Sequence, residues 1–304
     1  MKLIEQCGIM LEPQEGLTAV EVVKAARTAE RLGFGYLLRS DHLLPTSGRR
    51  GLSSPECWTT LGAIAASTET IGFGPLVSPI GFRNPALLAR MASTVNSLSA
   101  GRLQLGVGMG WYQDEYRAFG FDFPSFRMRR EQLIEGLEII RSLFRDGAVD
   151  FKGRYFSISI TAQPESRPPR LVIGGKSPSL VRAASAYADE WNILAPSKED
   201  LTELRKHFSH DLTISQMGPF IIAEDEPKLK EKLVRRMKLL QVNLSVEEYL
   251  KRLRSRNAMI GTPAEFIEQL DERLSWGIQK FYFQTFEPQD EQSLTLLSEC
   301  LKQV

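Results

Sequence analysis

The chain has 304 residues, 42% of them hydrophobic and 25% charged, with 38 Lys and Arg against 37 Asp and Glu. A formal net charge of +1 offers no bulk attraction to nucleic acid or to an anionic membrane surface. Cys7, Cys57 and Cys300 are odd in number and widely spaced, with no C-x-x-C, which argues against a disulfide scaffold and a cysteine-based zinc site.

No stretch reaches the ~18 uncharged apolar residues of a membrane span, and the N-terminus lacks the apolar core of a signal peptide. A cytoplasmic protein of enzyme size is expected.

Short apolar runs alternate with longer amphipathic segments, the pattern of a parallel α/β protein. The first run covers 3–11 and is followed by a helix over 18–32, opened by the Thr18/Glu21 capping box and closed by Gly33. The second strand, 35–39, leads into Ser40-Asp41-His42, and Ser54-Pro55-Glu56 opens the next helix with Pro at its first position. Strand three spans 71–77 with a helix over 84–98, and strand four spans 103–107 with a helix over 126–144. Residues 149–160 read as a β-hairpin excursion around Gly153. Strands follow at 170–173, 190–194, within 212–223 and at 278–285, with helices at 177–187 and 289–301.

Eight strands, each followed by a helical segment, predict one (β/α)8 barrel over 1–304. A doubly wound open sheet is the competing topology. Residues 224–256 exceed one crossover helix; they carry ten Lys and Arg against six Asp and Glu, with an internal capping box at Ser245/Glu248. Two inserted helices are expected there, read either as a solvated charged face or as a lid or phosphate-attracting rim over the strand ends.

In such barrels the chemistry gathers at the C-terminal ends of the strands. Glu12 and Gln14 follow strand one, Asp41 and His42 strand two, Ser78 and Arg83 strand three, Gly108-Met109-Gly110-Trp111 strand four, Gly174-Gly175-Lys176-Ser177 strand five, and Asn192 lies on strand six. His42 is the one histidine of three at a strand end, placed for proton transfer near neutral pH. His207 and His210 lack a third ligand at a recognisable spacing, so no metal site is expected. The glycines of 106–110 miss the dinucleotide fingerprint and suggest backbone approaching a flat ligand. Gly174-Gly175 before a helix N-terminus with Ser177 and Pro178 suits a phosphate.

Taken together, these stretches resemble the luciferase-like monooxygenase superfamily, in its flavin- or F420-dependent oxidoreductase branch. The resemblance is carried by residues 29–34 leading to Ser40-Asp41-His42, by 83–89, and most specifically by 98–111. Glu115 with Phe119-Gly120, Pro169 to Gly175, residues 188–192 and, more weakly, 261–265 continue it. It implies a barrel holding an FMN or F420 ring at the strand ends, with the Gly174-Gly175 loop at the cofactor phosphate. It further implies a non-prolyl cis peptide at the end of strand three, aligned to Pro75-Leu76, with Ser78 on the ring and Asp41 beside it. Gly108, Met109 and Gly110 would buttress the ring, Ser177 would join the phosphate site, and His42 matches the catalytic base of one F420-dependent dehydrogenase branch. Trp111 and Met109 stand where that branch has a carboxylic acid and a hydroxyl residue, which points away from a sugar-phosphate substrate.

The expected activity is hydride transfer between F420, or FMN, and a small organic substrate. The alternatives are a two-component FMN monooxygenase served by a flavin or F420 reductase, and a flavin-binding protein without catalysis. A homodimer is implied by the resemblance.

Overall fold

The computed structural model describes residues 2–304. Strand β1 (Cys7–Leu11) is buried at every position, as expected of a parallel strand covered on both faces. Residues Leu3–Gln6, expected to extend that strand, instead form a 3-10 turn beneath it. Around β1 the chain lays down β2 (Tyr36–Arg39), β3 (Gly72–Pro75), β4 (Ser78–Pro79) and β5 (Gln104–Gly108). The hairpin β6 (Ala148–Lys152) and β7 (Ser157–Thr161) pairs antiparallel, apart from the main sheet. The main sheet resumes with β8 (Arg170–Gly174), β9 (Glu190–Leu194), β10 (Thr213–Ile222), β11 (Met259–Gly261) and β12 (Lys280–Thr285).

The order β3-β2-β1-β12-β10-β9-β8-β5-β4 is parallel throughout and traces a nearly closed barrel. Its two ends, β3 and β4, are halves of one stave broken at Leu76-Val77, so the barrel has eight staves. A Phe73–Leu103 bridge draws the ends together. The peptide joining Leu76 to Val77 is cis, one residue beyond the Pro75-Leu76 position expected from the resemblance. The glycines nearby explain how the staves meet. A Cβ on Gly74 would run into the Gln104 carbonyl, one on Gly106 into the Pro75 carbonyl, and one on Gly108 into the Val77 side chain.

The helices α1 (Ala19–Leu32), α2 (Cys57–Ser67), α3 (Pro85–Leu98), α4 (Gln113–Ala118), α5 (Phe126–Asp146), α6 (Pro178–Tyr187) and α7 (Lys198–Arg205) follow the first six staves. Thr18 and Glu21 form the expected capping box on α1. Helix α2 starts later than expected: Glu56 is its N-cap, taking the Thr59 amide at 2.6 Å, and Pro55 lies outside. Helices α8 (Glu226–Leu239), α9 (Val246–Arg254), α10 (Pro263–Ser275) and α11 (Glu291–Leu301) complete the chain. Helices α8 and α9 bury an apolar face of their own, with Leu229, Leu233, Met237, Tyr249 and Leu253 packed on Ile221 and Ile260. The three-residue β11, absent from the sequence expectation, pairs with the last residues of β10 beneath this cluster.

Inside the barrel two layers differ in kind. At the N-terminal end, first residues of their strands meet. The Lys280 ammonium lies 2.8 Å from Glu190 and 3.2 Å from the Tyr36 hydroxyl. Tyr282 donates to the other Glu190 oxygen at 2.7 Å. Above them the interior is apolar, with Met10, Leu38, Leu76 and Val172 clustered beside Val77 and Met217.

Candidate active site

Strand β2 delivers Ser40-Asp41-His42 to the barrel mouth, and Arg39 fixes where they stand. Its buried guanidinium donates to the Ser40 carbonyl at 3.0 Å, the Pro55 carbonyl at 2.9 Å and the Thr60 hydroxyl. Asp41 is held equally firmly. Its carboxylate accepts from the Ser78 hydroxyl at 2.6 Å and from both terminal nitrogens of Arg83, at 2.6 and 3.2 Å. Burial pushes the Asp41 carboxyl above its ordinary value, against the pull of Arg83 and Ser78. Ser78 in turn accepts from the Trp58 indole at 3.1 Å, so its hydroxyl is fully engaged behind Asp41.

His42 meets a partner from the far side of the mouth. Its Nδ1 lies 3.0 and 3.1 Å from the two oxygens of Glu115, a fully buried residue of α4. The Leu43 amide donates to the same carboxylate at 2.9 Å, locking the ring to the loop that bears it. With Nδ1 committed to Glu115, Nε2 is the ring nitrogen left for a ligand. Burial alone would lower the His42 pKa. The Glu115 hydrogen bond and charge, with Glu12 and Asp41 nearby, outweigh it and raise the value above 6.5. Trp111 and Tyr112 meet the imidazole edge to face, with centroids at 5.5 and 6.2 Å.

These groups open onto a cavity of about 240 Å³ at the C-terminal ends of the strands. Of the residues singled out in the sequence, Glu12, Asp41, His42, Leu76, Gly110, Trp111, Gly174, Gly175, Lys176 and Asn192 line it, joined by Glu115. Pro75, Ser78, Gly108, Met109 and Ser177 do not. Pro75 pairs with Arg39 in β3, Gly108 with Pro79, and Met109 packs on the core. Ser177 caps α6 by accepting the Leu180 amide at 3.3 Å. The Asn192 side-chain amide donates to the Ser215 hydroxyl at 2.8 Å, while the Asn192 main-chain carbonyl accepts the Gly175 amide at 3.0 Å. Gly175 has φ +142°, and a Cβ there would strike Leu180.

Two expectations change. The glycines of 106–108 serve stave-to-stave packing around Val77, whereas Gly110 alone of that run lines the cavity; a Cβ on it would strike the Tyr116 hydroxyl. The basic insertion supplies no side chain to the cavity lining, and part of its charge is paired close by, Lys228 with Glu224 and Arg235 with Glu287 at 2.7 Å and Asp290 at 2.6 Å. Glu115, the carboxylate partner of His42, was not among the residues expected at the site. It lies 73 residues from His42, and its only signal was its place in the family-like stretch after Trp111.

Residues 6–280 match the family described as luciferase-like monooxygenase, with the strand-end residues above inside the match. The chain belongs to that family. Among its luciferase-like relatives, the F420-dependent hydroxymycolic acid dehydrogenase of Mycobacterium tuberculosis is 32% identical over 188 residues, 60% of this chain and 51% of that protein. The pyrimidine monooxygenase RutA of Pseudomonas savastanoi pv. phaseolicola is 32% identical over 218 residues, 66% of this chain and 59% of the relative. The chain therefore spans only about half to three-fifths of the length of these relatives. Among solved structures, the monooxygenase RslO1 from Streptomyces bottropensis superposes with a TM-score of 0.81 over 97% of this chain and 98% of that one, at 23% identity. That likeness shows the fold alone, a barrel of the same kind. Among the described residues no helix is long and apolar enough to cross a membrane, and no cluster of three or more His, Cys, Asp or Glu could hold a metal ion.

Proposed function

We propose that the chain is an oxidoreductase that uses F420, or FMN, to oxidise or reduce a small organic substrate. One observation carries this reading: an imidazole held through Nδ1 by a buried carboxylate opens onto a cavity that suits a flat ring. Met10, Leu76, Val77 and Met217 give the cavity apolar walls, and Glu12, Asp41, His42 and Asn192 give it polar groups. At Gly174 a Cβ would meet the Val77 side chain at 3.4 Å and the Asn192 main-chain carbonyl at 4.0 Å, both ordinary contacts, so the wall there leaves room for a ligand. Gly174, Gly175 and Ser177, at the start of α6, would hold the phosphate, with Lys176 beside them. Pro75, Ser78, Gly108 and Met109 would act from behind, fixing Leu76, Asp41 and Gly110.

When bound, the ring supplies hydride chemistry. The protein supplies the rest. His42 Nε2 gives or takes the proton at the substrate oxygen, and Glu115 holds the ring orientation and keeps the protonated form accessible near neutral pH. The apolar walls exclude water from that transfer.

A second reading, a two-component monooxygenase fed by a separate flavin reductase, is favoured by the RutA match, which runs over more of this chain than the dehydrogenase match. A homodimer in the cytosol belongs to both readings; the free, buried Cys7, Cys57 and Cys300 accord with a reducing compartment. Titration with F420 and with FMN, followed by the absorbance of each, is the direct test. Binding of either supports the proposal, and binding of neither ends it. Turnover that persists without oxygen selects the dehydrogenase, and turnover that stops selects the monooxygenase.

A further inference from the structure

We propose that Trp111 and Glu12 together select an uncharged, ring-bearing substrate, its ring resting on the Trp111 indole outside the cavity and its polar end at His42. The inference rests on the oxidoreductase reading for the identity of the site, and it adds the substrate class.

Trp111 lines the cavity yet is 63% exposed. Trp is normally well buried, and an exposed one at a cavity edge marks a contact surface. It is not free to swing at random, since it packs against Tyr112 at 5.3 Å and against His42 at 5.5 Å between centroids. Leu194, also on the cavity wall, is 48% exposed. At about 240 Å³ the enclosed space is smaller than the roughly 300–1,000 Å³ of an ordinary ligand pocket. A flat cofactor ring and a substrate together would exceed it, and the exposed apolar residues at its edge are Trp111 and Leu194.

Charge sets the second half of the selection. Three carboxylates line the cavity, those of Glu12, Asp41 and Glu115. Asp41 is neutralised by Arg83 and Glu115 faces His42. Glu12 is buried and receives only amide donors, from Gln14 at 2.8 Å and Gln284 at 2.5 Å. Lys176 is half-exposed and leans toward Asp200 at 3.6 Å. A carboxylate or phosphate placed near His42 would therefore approach Glu12, a carboxyl group that no Lys or Arg pairs with, in a partly desolvated site. A neutral alcohol or carbonyl compound would not.

The test is calorimetric binding of 2-naphthylmethanol and 2-naphthoate, equal in ring and opposite in charge state, to the purified full chain with and without FMN. The alcohol is expected to bind saturably and at least about tenfold more tightly than the carboxylate. Trp111→Ala should weaken it about tenfold, with Trp111→Phe restoring most of the loss, in line with the stabilisation of an aromatic pair beyond its buried area. Glu12→Gln should narrow the gap between the two probes. Equal affinity for both in the wild-type chain, no saturable binding in either condition, or a Trp111→Ala variant that binds the alcohol unchanged would each overturn the inference. Cofactor binding, followed separately by absorbance, fails or stands on its own. Naphthyl selectivity without cofactor affinity sinks the oxidoreductase reading and keeps this one, and cofactor affinity without selectivity does the reverse.

Discussion

Two buried acid–base pairs stand at opposite ends of one barrel, and they have little else in common. Glu190 and Lys280 close the N-terminal end with side chains 0% and 5% exposed, sealed beneath Tyr36 and Tyr282. Glu115 and His42 stand at the other end, where the carboxylate is 1% exposed but the imidazole is 16% exposed and borders the cavity. The lower pair is shut away from solvent and from the cavity and has no ligand to meet. The upper pair joins a carboxylate to the one side chain whose ordinary pKa lies near neutrality. The difference separates holding a barrel together from working at its mouth.

Breaking each pair should give different losses. The largest is expected in turnover: His42→Asn keeps a polar side chain but loses the titrating nitrogen, and kcat/KM should fall about 10²–10⁴-fold, with urea-unfolding stability changed far less. A stability loss that accounts for the drop would erase the contrast. Next comes Lys280→Met, which strands the Glu190 charge in the barrel and should cost about 3–5 kcal/mol in chemical denaturation. The double variant Lys280→Met/Glu190→Leu should recover most of that loss, and failure to recover would mean that packing, not charge, dominates the base.

Glu115→Gln is gentler, because the amide oxygen can still accept the Leu43 amide. It should lower the His42 pKa toward or below 6.5, read by NMR titration of the imidazole, and move the corresponding limb of the pH–rate profile to lower pH. An unmoved titration would remove Glu115 from its positioning role. The smallest effect concerns stability against pH. Because His42 titrates above its unfolded value of 6.5, the stabilisation from its protonated form is complete below that value and is lost as pH rises through the raised folded one. Unfolding free energy should decline across that interval in the wild-type chain and stay flatter in Glu115→Gln.

Much of this architecture was readable because the physics is local. Thr18/Glu21 and Ser245/Glu248 cap helices wherever the chain goes, and buried parallel strands such as Cys7–Leu11 announce themselves as apolar runs. His42 stood out because it was the lone histidine at a strand end. What stayed hidden is what depends on return contacts. Glu115 reads as one more helical acid until α4 folds back to the β2 loop. The charges of 224–256 can be counted from sequence, but the pairing of Arg235 with Glu287 and Asp290 requires α8 and the start of α11 to be side by side. The glycines of 106–108 suggested a ligand because a missing side chain looks the same whether a cofactor or a neighbouring stave fills the space.

The sealed base has a consequence for traffic. Gln104, Glu190, Lys280 and Tyr282 are each at most 4% exposed, so the barrel is a blind well rather than a tunnel. Everything that reaches His42, whether substrate, product, solvent or an exchanging proton, shares one opening, and Trp111 stands in it. On the proposed reading, departure and arrival would share the same doorway, and a ligand resting on that indole would bar the next one from entering.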